Sequence, residues 1–257
     1  MTEPTLLAES GFLRLRLDLA YDGTNFSGWG KQPDRRTVQE EVEKTLQKLT
    51  RTKAETVVAG RTDAGVHATG QVVHVDIPEM ESGPYAKKVN WDFGDLPYRL
   101  NRILDEDIRI TSATVAPYGF HARFSALRRC YEYRILDSNT VILPLQRFDI
   151  APWYRSLSVD VLNEASALLL GENDFAAFCK FRESATTVRN LETFSWSRNS
   201  EGVLVAEVVA DAFCYSMVRN LVGAVVCVAD GRFEPSWVKD VLNNRVRISD
   251  SLVFPER

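Results

Sequence analysis

Phe12-Leu13-Arg14-Leu15-Arg16-Leu17-Asp18-Leu19-Ala20-Tyr21 alternates apolar and polar residues. Leu13, Leu15, Leu17, Leu19 and Tyr21 fall on one side, and Arg14, Arg16 and Asp18 on the other. A period of two is that of a half-buried strand. Asp22-Gly23-Thr24-Asn25 ends it as a loop. Further along, Thr37-x-x-Glu40 reads as a capping box, followed by Val38, Val42, Leu46 and Leu49 at helical spacing. Short strands are expected at 57–59, 71–77, 109–115, 129–136 and 202–210. In the fourth of these, Tyr131, Tyr133 and Ile135 oppose Glu132 and Arg134. Residues 78–97 hold Gly, Pro and acids with little periodicity and read as a surface insertion. Helices are expected at 100–104, at 161–170 (stopped by Gly171), from a Ser216 cap to about Val228, and at 237–242 behind Pro235. These elements mix without the strict rhythm of a doubly wound parallel sheet. The pattern predicts an α+β fold with a largely antiparallel sheet.

Composition narrows the function classes. Hydrophobic residues make up 45% and charged residues 26%, the balance of an ordinary globular protein rather than a disordered one. A net charge of -4 argues against a generic polycation that coats nucleic acid. The charge is nevertheless patterned. Residues 118–134 carry Arg123, Arg128, Arg129 and Arg134 against Glu132 alone, while 76–107 are predominantly acidic. An acidic total can therefore hide a basic surface. Cys130, Cys179, Cys214 and Cys227 are widely spaced, with no C-x-x-C pair. They suggest neither a zinc set nor a disulfide framework, so reduced thiols are expected. The first ten residues lack the basic start and apolar run of a signal peptide, and no apolar run reaches membrane-spanning length. A cytoplasmic protein with no membrane association is expected.

The chemistry concentrates in Gly60-Arg61-Thr62-Asp63-Ala64-Gly65-Val66-His67, between two expected strands. Glycines permit tight turns and close approach of a ligand to the backbone. Arg61, two residues from Asp63, could keep that carboxylate ionised or bind a phosphate. Turn chemistry alone favours an Asp63 that merely accepts backbone hydrogen bonds. His67, His74 and His121 lack metal-ligand spacing and read as structural or RNA-contacting, so no metal is expected.

The same octapeptide resembles the active-site signature of the tRNA pseudouridine synthase A (TruA) family. Other segments resemble family motifs in the same order. They are Tyr21-Asp22-Gly23-Thr24 with Phe26-x-Gly28-Trp29; Thr37-Val38-Gln39-Glu40; Gly70-Gln71-Val72-Val73-His74; Phe120-His121-Ala122-Arg123-Phe124-Ser125-Ala126 leading to Tyr131-x-Tyr133; Gly171-Glu172-Asn173-Asp174-Phe175; and Phe213 with Met217-Val218-Arg219-Asn220. The resemblance runs from about residue 12 to about residue 232 and implies the pseudouridine synthase fold, with two α/β lobes about a central cleft. Residues 1–117 would form the lobe with the catalytic loop and 118–257 the other, together one catalytic domain. It implies isomerisation of uridine at positions 38, 39 and 40 of the tRNA anticodon arm, a homodimer, and no cofactor.

The resemblance also assigns roles. Asp63 is the catalytic carboxylate, acting as nucleophile or base. Tyr131 stacks on the flipped uracil and helps move the C5 proton; without the family it reads as a core aromatic. Arg219 pairs with Asp63; the alternative is a surface ion pair on a first helical turn. Arg61 enters the vacated base position. Arg123, Arg128 and Arg129 suit phosphate, with Lys31, Arg35 and Arg36 as a second basic loop toward the RNA stem.

The sequence departs from the pattern at Gly30, where glutamine is expected, and at Cys130, where threonine or arginine is more usual. It also ends at Phe254-Pro255-Glu256-Arg257, where the pattern continues into a Gly-Leu-containing strand, so a missing edge strand is expected. Two rivals follow. A carboxylate-dependent N-glycosidase would want a second acid, which the Asp63 motif lacks. A catalytically weakened tRNA-binding or chaperone protein of the same fold would not need Asp63, Tyr131 and Arg219 together.

Overall fold

A computed structural model describes residues 11–79, 92–138, 140–180 and 186–245. The chain divides into two compact units, Met1–Ala126 and Leu127–Arg257. In the first, β1 (Phe12–Tyr21), α1 (Val38–Thr50), β2 (Thr56–Val58), β3 (Ala68–Pro78), α2 (Leu96–Asn101) and β4 (Ile108–Val115) follow in order. The sheet runs β2-β3-β1-β4 with every neighbour antiparallel. The opening strand therefore lies in the interior, where Leu15, Leu17 and Leu19 are fully buried. α1 packs Val38, Val42 and Leu46 into the same core.

The polar side of β1 is not solvent-facing throughout. Arg14 is buried and grips Asp76 of β3 through two bonds of 2.8 Å, Nε to Oδ1 and the terminal nitrogen to Oδ2. Its other terminal nitrogen donates to the Phe120 carbonyl at 3.1 Å. The Ala122 amide donates to His74 Nδ1 at 3.1 Å. Residues 120–122 thus cover that face of the sheet.

The second unit contains β5 (Arg129–Leu136), β6 (Ala151–Pro152), α3 (Val159–Ala167), β7 (Gly171–Asp174), β8 (Val188–Arg198), β9 (Leu204–Ala210), α4 (Met217–Ala229) and α5 (Trp237–Asn244). Its sheet order is β6-β5-β9-β8-β7, antiparallel except for β5 with β6. α4 is buried along most of its length, Leu221 to Val228 included, and forms the centre of this core. The expected α+β class with mainly antiparallel pairing is what the chain adopts.

Several local expectations need correction. Thr37 stands at the N-cap of α1, but its hydroxyl makes no cap bond and is buried without a partner, so the capping box does not form. The Gly28 and Trp29 carbonyls instead accept the first helix amides, from Val38 at 3.3 Å and Gln39 at 3.0 Å. Ser216 precedes α4 in a left-handed conformation (φ 63°) and gives no side-chain cap. Of the expected insertion, residues 80–91 lie outside the described residues. β3 reaches Pro78, and Pro97 sits in the first turn of α2, which begins earlier than expected. Gly171 opens a strand rather than stopping a helix, and α3 ends at Ala167. β8 was unexpected, because a bulge between Leu191 and Thr193 breaks its alternation. Cys179 and Cys214 are joined as a disulfide with their Cα atoms 5.6 Å apart, against the expectation of reduced thiols. Folding brings together two cysteines whose separation of 35 residues carries no signal in sequence. The expectation drawn at 254–257, a missing edge strand, lies outside the described residues.

Candidate functional site

The chain leaves β2 with the Ala59 amide bonded to the Val72 carbonyl at 2.9 Å. Gln71, facing inward from β3, then donates to the Gly60 carbonyl at 2.8 Å. Tyr21, at the end of β1, bonds Thr62 Oγ1 at 2.8 Å through its hydroxyl. The Thr62 carbonyl accepts the Trp29 amide at 3.0 Å, and the Gly65 amide donates to the Phe26 carbonyl at 3.3 Å. Asp63 closes a tight turn in which its carbonyl accepts the Val66 amide at 3.3 Å. Gly65 supports that turn with φ 77°, a conformation that costs glycine little.

The second loop, residues 22–30, explains its own glycines. A Cβ on Gly23 would stand 2.1 Å from the Val66 carbonyl oxygen, and one on Gly28 2.9 Å from that of Thr62. Both obstacles are backbone, so neither can rotate away. The Gly23 amide also donates to His67 Nδ1 at 3.2 Å. The two motifs around Gly23 and Asp63 are therefore halves of one interlocked structure. Asp63 itself is half-buried and Arg61 exposed. The result is a carboxylate on a braced turn two residues from an exposed cation, an arrangement suited to nucleophilic or base chemistry on an anionic, phosphate-bearing substrate.

The other basic residues of the first unit differ. Arg35 is exposed. Lys31 is paired with Glu43. Arg36 bonds Asp107 at 2.6 and 3.0 Å and Asp105 at 2.9 Å, and its guanidinium lies 4.2 Å from the Phe26 ring centroid. These bonds, led by Asp107, raise its pKa above the ordinary arginine value. Arg36 already ties the 22–36 loop to the segment before β4. Arg123 is exposed beside the Phe124 ring. Underneath, the His74 and His121 rings are 4.7 Å apart. Burial first, then the charge of Arg14, lowers both pKa values, that of His74 to about 4.

In the second unit, Tyr131 lies two residues before the buried Tyr133 on the same face of β5, but only partly covered. Phe213 meets it edge-on, with centroids 5.1 Å apart and planes at 90°. The segment carrying Phe213 is fixed by the Cys179–Cys214 bond and by the Lys180 amide on the Tyr215 carbonyl at 3.0 Å. It leads into α4, whose third residue is Arg219. Asn220 anchors that first turn by donating to the Phe178 carbonyl at 2.7 Å, fully buried. Thus Tyr131 and Arg219 are connected through one short segment. Arg129 caps the Asp211 carbonyl at 2.6 Å, and Arg128 approaches Glu192 at 3.6 Å. The roles of Tyr21, Thr62, Gln71 and Phe213 were not foreseen. Each sat in a quoted motif, yet their partners are distant in sequence.

Among the described residues there is no cluster of three or more His, Cys, Asp or Glu arranged to hold a metal. Nor is any described helix long and apolar enough to cross a membrane. A family model described as tRNA pseudouridine synthase matches residues 19–125 and 165–256. A protein named tRNA pseudouridine synthase A from Frankia casuarinae is 52% identical over 95% of this chain and 86% of its own length. One of the same name from Streptomyces griseus is 51% identical over 93% and 83%, and one from Mycobacterium leprae is 44% identical over 99% and 89%.

Proposed function

The chain belongs to the tRNA pseudouridine synthase A family, and we propose that it isomerises uridines 38, 39 and 40 of the tRNA anticodon arm with Asp63 as its catalytic carboxylate. The reaction class is isomerisation. The C1′–N1 bond breaks, the uracil turns, a C1′–C5 bond forms, and the C5 proton is exchanged for one on N1. Electrons balance without an oxidant or energy source. The carboxylate acts at ribose C1′, at the uracil ring or on the 2′ proton, and each route needs it ionised and oriented. The observation that carries the reading is the placement of Asp63: a half-buried carboxylate on a turn locked from two sides.

In this reading Arg61 occupies the space left by the extruded base. Tyr131, backed by Phe213, stacks on the uracil and assists the C5 proton. Arg219 pairs with Asp63 to keep it charged, and Arg123, Arg128, Arg129 and Arg35 contact phosphates. Lys31 and Arg36 shape their loop through internal ion pairs and meet RNA through it. Residues 1–117 and 118–257 act as the two lobes of one catalytic domain. The enzyme works in the cytoplasm as a homodimer, each tRNA touching both subunits and recognised more by shape than by base sequence.

The test is to incubate purified protein with unmodified tRNA and map pseudouridine by chemical labelling and primer extension. Product is expected in the anticodon arm with wild type, and none with Asp63→Asn, which still binds tRNA. A wild-type protein that makes no product there would sink the enzyme reading. An unchanged rate in Asp63→Asn would sink the assignment of Asp63.

A further inference from the structure

The orientation of the Gln71 amide is settled by its surroundings. Its nitrogen donates to the Gly60 carbonyl at 2.8 Å, and its oxygen accepts the Val72 amide at 3.2 Å. The nitrogen therefore faces the Tyr21 hydroxyl, 3.3 Å away. An amide nitrogen can only donate, so the Tyr21 oxygen accepts there. The same hydroxyl bonds Thr62 Oγ1 at 2.8 Å, where either oxygen can donate. Burial raises the Tyr21 pKa above its ordinary value, so the phenol keeps its hydrogen. Gln71, Tyr21 and Thr62 thus form one hydrogen-bonded chain.

Tyr21 is itself immobile. It is a core residue of the first unit, tilted against Trp29 with centroids 6.0 Å apart. Trp29 is buried and uses its amide to hold the Thr62 carbonyl at 3.0 Å. Thr62 is consequently held at its hydroxyl from one side and at its carbonyl from the other. Its branched side chain has few rotamers, so fixing Oγ1 fixes χ1. The Thr62 carbonyl belongs to the peptide plane that ends at the Asp63 Cα. The Asp63 carbonyl accepts the Val66 amide at 3.3 Å, which holds the turn on its other side.

We propose that Tyr21 and Gln71 are positioning residues for Asp63, acting through Thr62 and the Gly60 carbonyl to hold the catalytic turn in its reactive geometry. The inference rests on the reading of Asp63 given above. Neither residue touches substrate in this scheme. Their removal lowers the rate of the chemical step and leaves tRNA affinity alone, because a small misplacement of a reacting group costs rate steeply.

The experiment uses single-turnover kinetics on full-length protein with unmodified tRNA, together with tRNA Kd and thermal melting. Tyr21→Phe keeps the ring and removes the hydrogen-bonding oxygen. Its rate is expected to fall about tenfold, the worth of one well-placed hydrogen bond, with Kd within twofold of wild type. Thr62→Val should show a similar loss, and Thr62→Ser, which retains the hydroxyl, should recover most of it. In the double variant the losses should not multiply, since both changes remove the same bond. Wild-type rates in both single variants, a multiplicative double variant, or a loss confined to Kd would each overturn the proposal. If Tyr21→Phe fails to fold, the Thr62→Val and Thr62→Ser pair decides the matter alone. If wild type makes no pseudouridine, the enzyme reading has failed instead, and an unchanged rate in Asp63→Asn would mean that the reading of Asp63 has failed.

Discussion

The turn around Asp63 and the segment from Asp211 to Arg219 are built by different physics. The first is a polar lattice. Its backbone and side chains are held by Gln71, Tyr21, Trp29 and Phe26, and its neighbours approach so closely that Gly23 and Gly28 leave no room for a Cβ. The second is secured at its start by hydrogen bonds of Asp211, then by the Cys179–Cys214 bond and by packing. Phe213 leans on Tyr131, and α4 drives an apolar run into the core, with Asn220 anchoring its first turn. Hydrogen bonds are directional and fix an orientation, whereas apolar packing tolerates volume-conserving exchange. The carboxylate of the proposed chemistry, Asp63, sits in the first kind of structure. The aromatic proposed to stack on a base, Tyr131, sits in the second.

The comparison is broken most severely at Gly23. Gly23→Ala places a methyl group against the Val66 carbonyl, where only backbone movement can make room. Such overpacking costs about 1–3 kcal/mol, and the shifted turn should lose at least about a hundredfold in isomerisation rate. A variant with near wild-type rate would show that the two loops are not interlocked.

His74 tests the polar character of the first unit from below. An unfolded histidine titrates near 6.5, and the folded one near 4. The folded-state value is depressed, so this contribution to stability is complete above about pH 6.5 and is lost as pH falls toward 4. Its size is about 2–3 kcal/mol, and His121 acts in the same direction. Urea midpoints followed from pH 7.5 to 4.5 should fall more steeply for wild type than for His74→Asn. Parallel curves for the two proteins would remove His74 from the explanation.

The packed region should prove more forgiving. Phe213→Leu removes an edge-on aromatic contact worth about 0.5–1.5 kcal/mol but keeps most of the volume. A rate loss below about fivefold is expected from that energy if only part of it bears on Tyr131. A loss as large as that of Gly23→Ala would erase the distinction between the two regions. Least of all is expected from Gly30→Ala, whose methyl would stand 3.9 Å from the Arg61 guanidinium, an ordinary contact. Rate and melting temperature should stay within about 0.5 kcal/mol of wild type, and a strong loss would mean that Arg61 needs that space during base extrusion.

How much of this was legible in the sequence depended on whether the deciding interaction was local. The alternation of β1 and β5 reflects burial of every second residue, and both strands fall at the expected ends, Phe12–Tyr21 and Arg129–Leu136. The motif around Asp63 was recognisable as a loop between strands for the same reason. Interactions between distant segments were not legible. Thr37 carries a capping signal, yet the carbonyls of Gly28 and Trp29 supply the cap. Leu191, Phe194 and Trp196 are buried in β8, but their spacing of three and two hides the strand. Tyr21 looked like the last apolar residue of an alternating run. Its hydroxyl, the feature that reaches the catalytic turn, has no sequence signature.

The position of β1 also bears on how the protein is made. The strand is translated before both of its sheet partners, β3 and β4, the latter ending at Val115. At roughly 5–20 residues per second, about 5–20 seconds separate synthesis of β1 from that of β4. For that interval Leu15, Leu17 and Leu19 have no completed sheet to enter. The Asp22 amide, which bonds the Asp107 carbonyl at 2.9 Å, waits just as long for its partner. The loop that braces Asp63 is therefore translated well before the partner that completes it. A nascent chain stalled before β4 would carry every residue of the Asp63 motif and no working site.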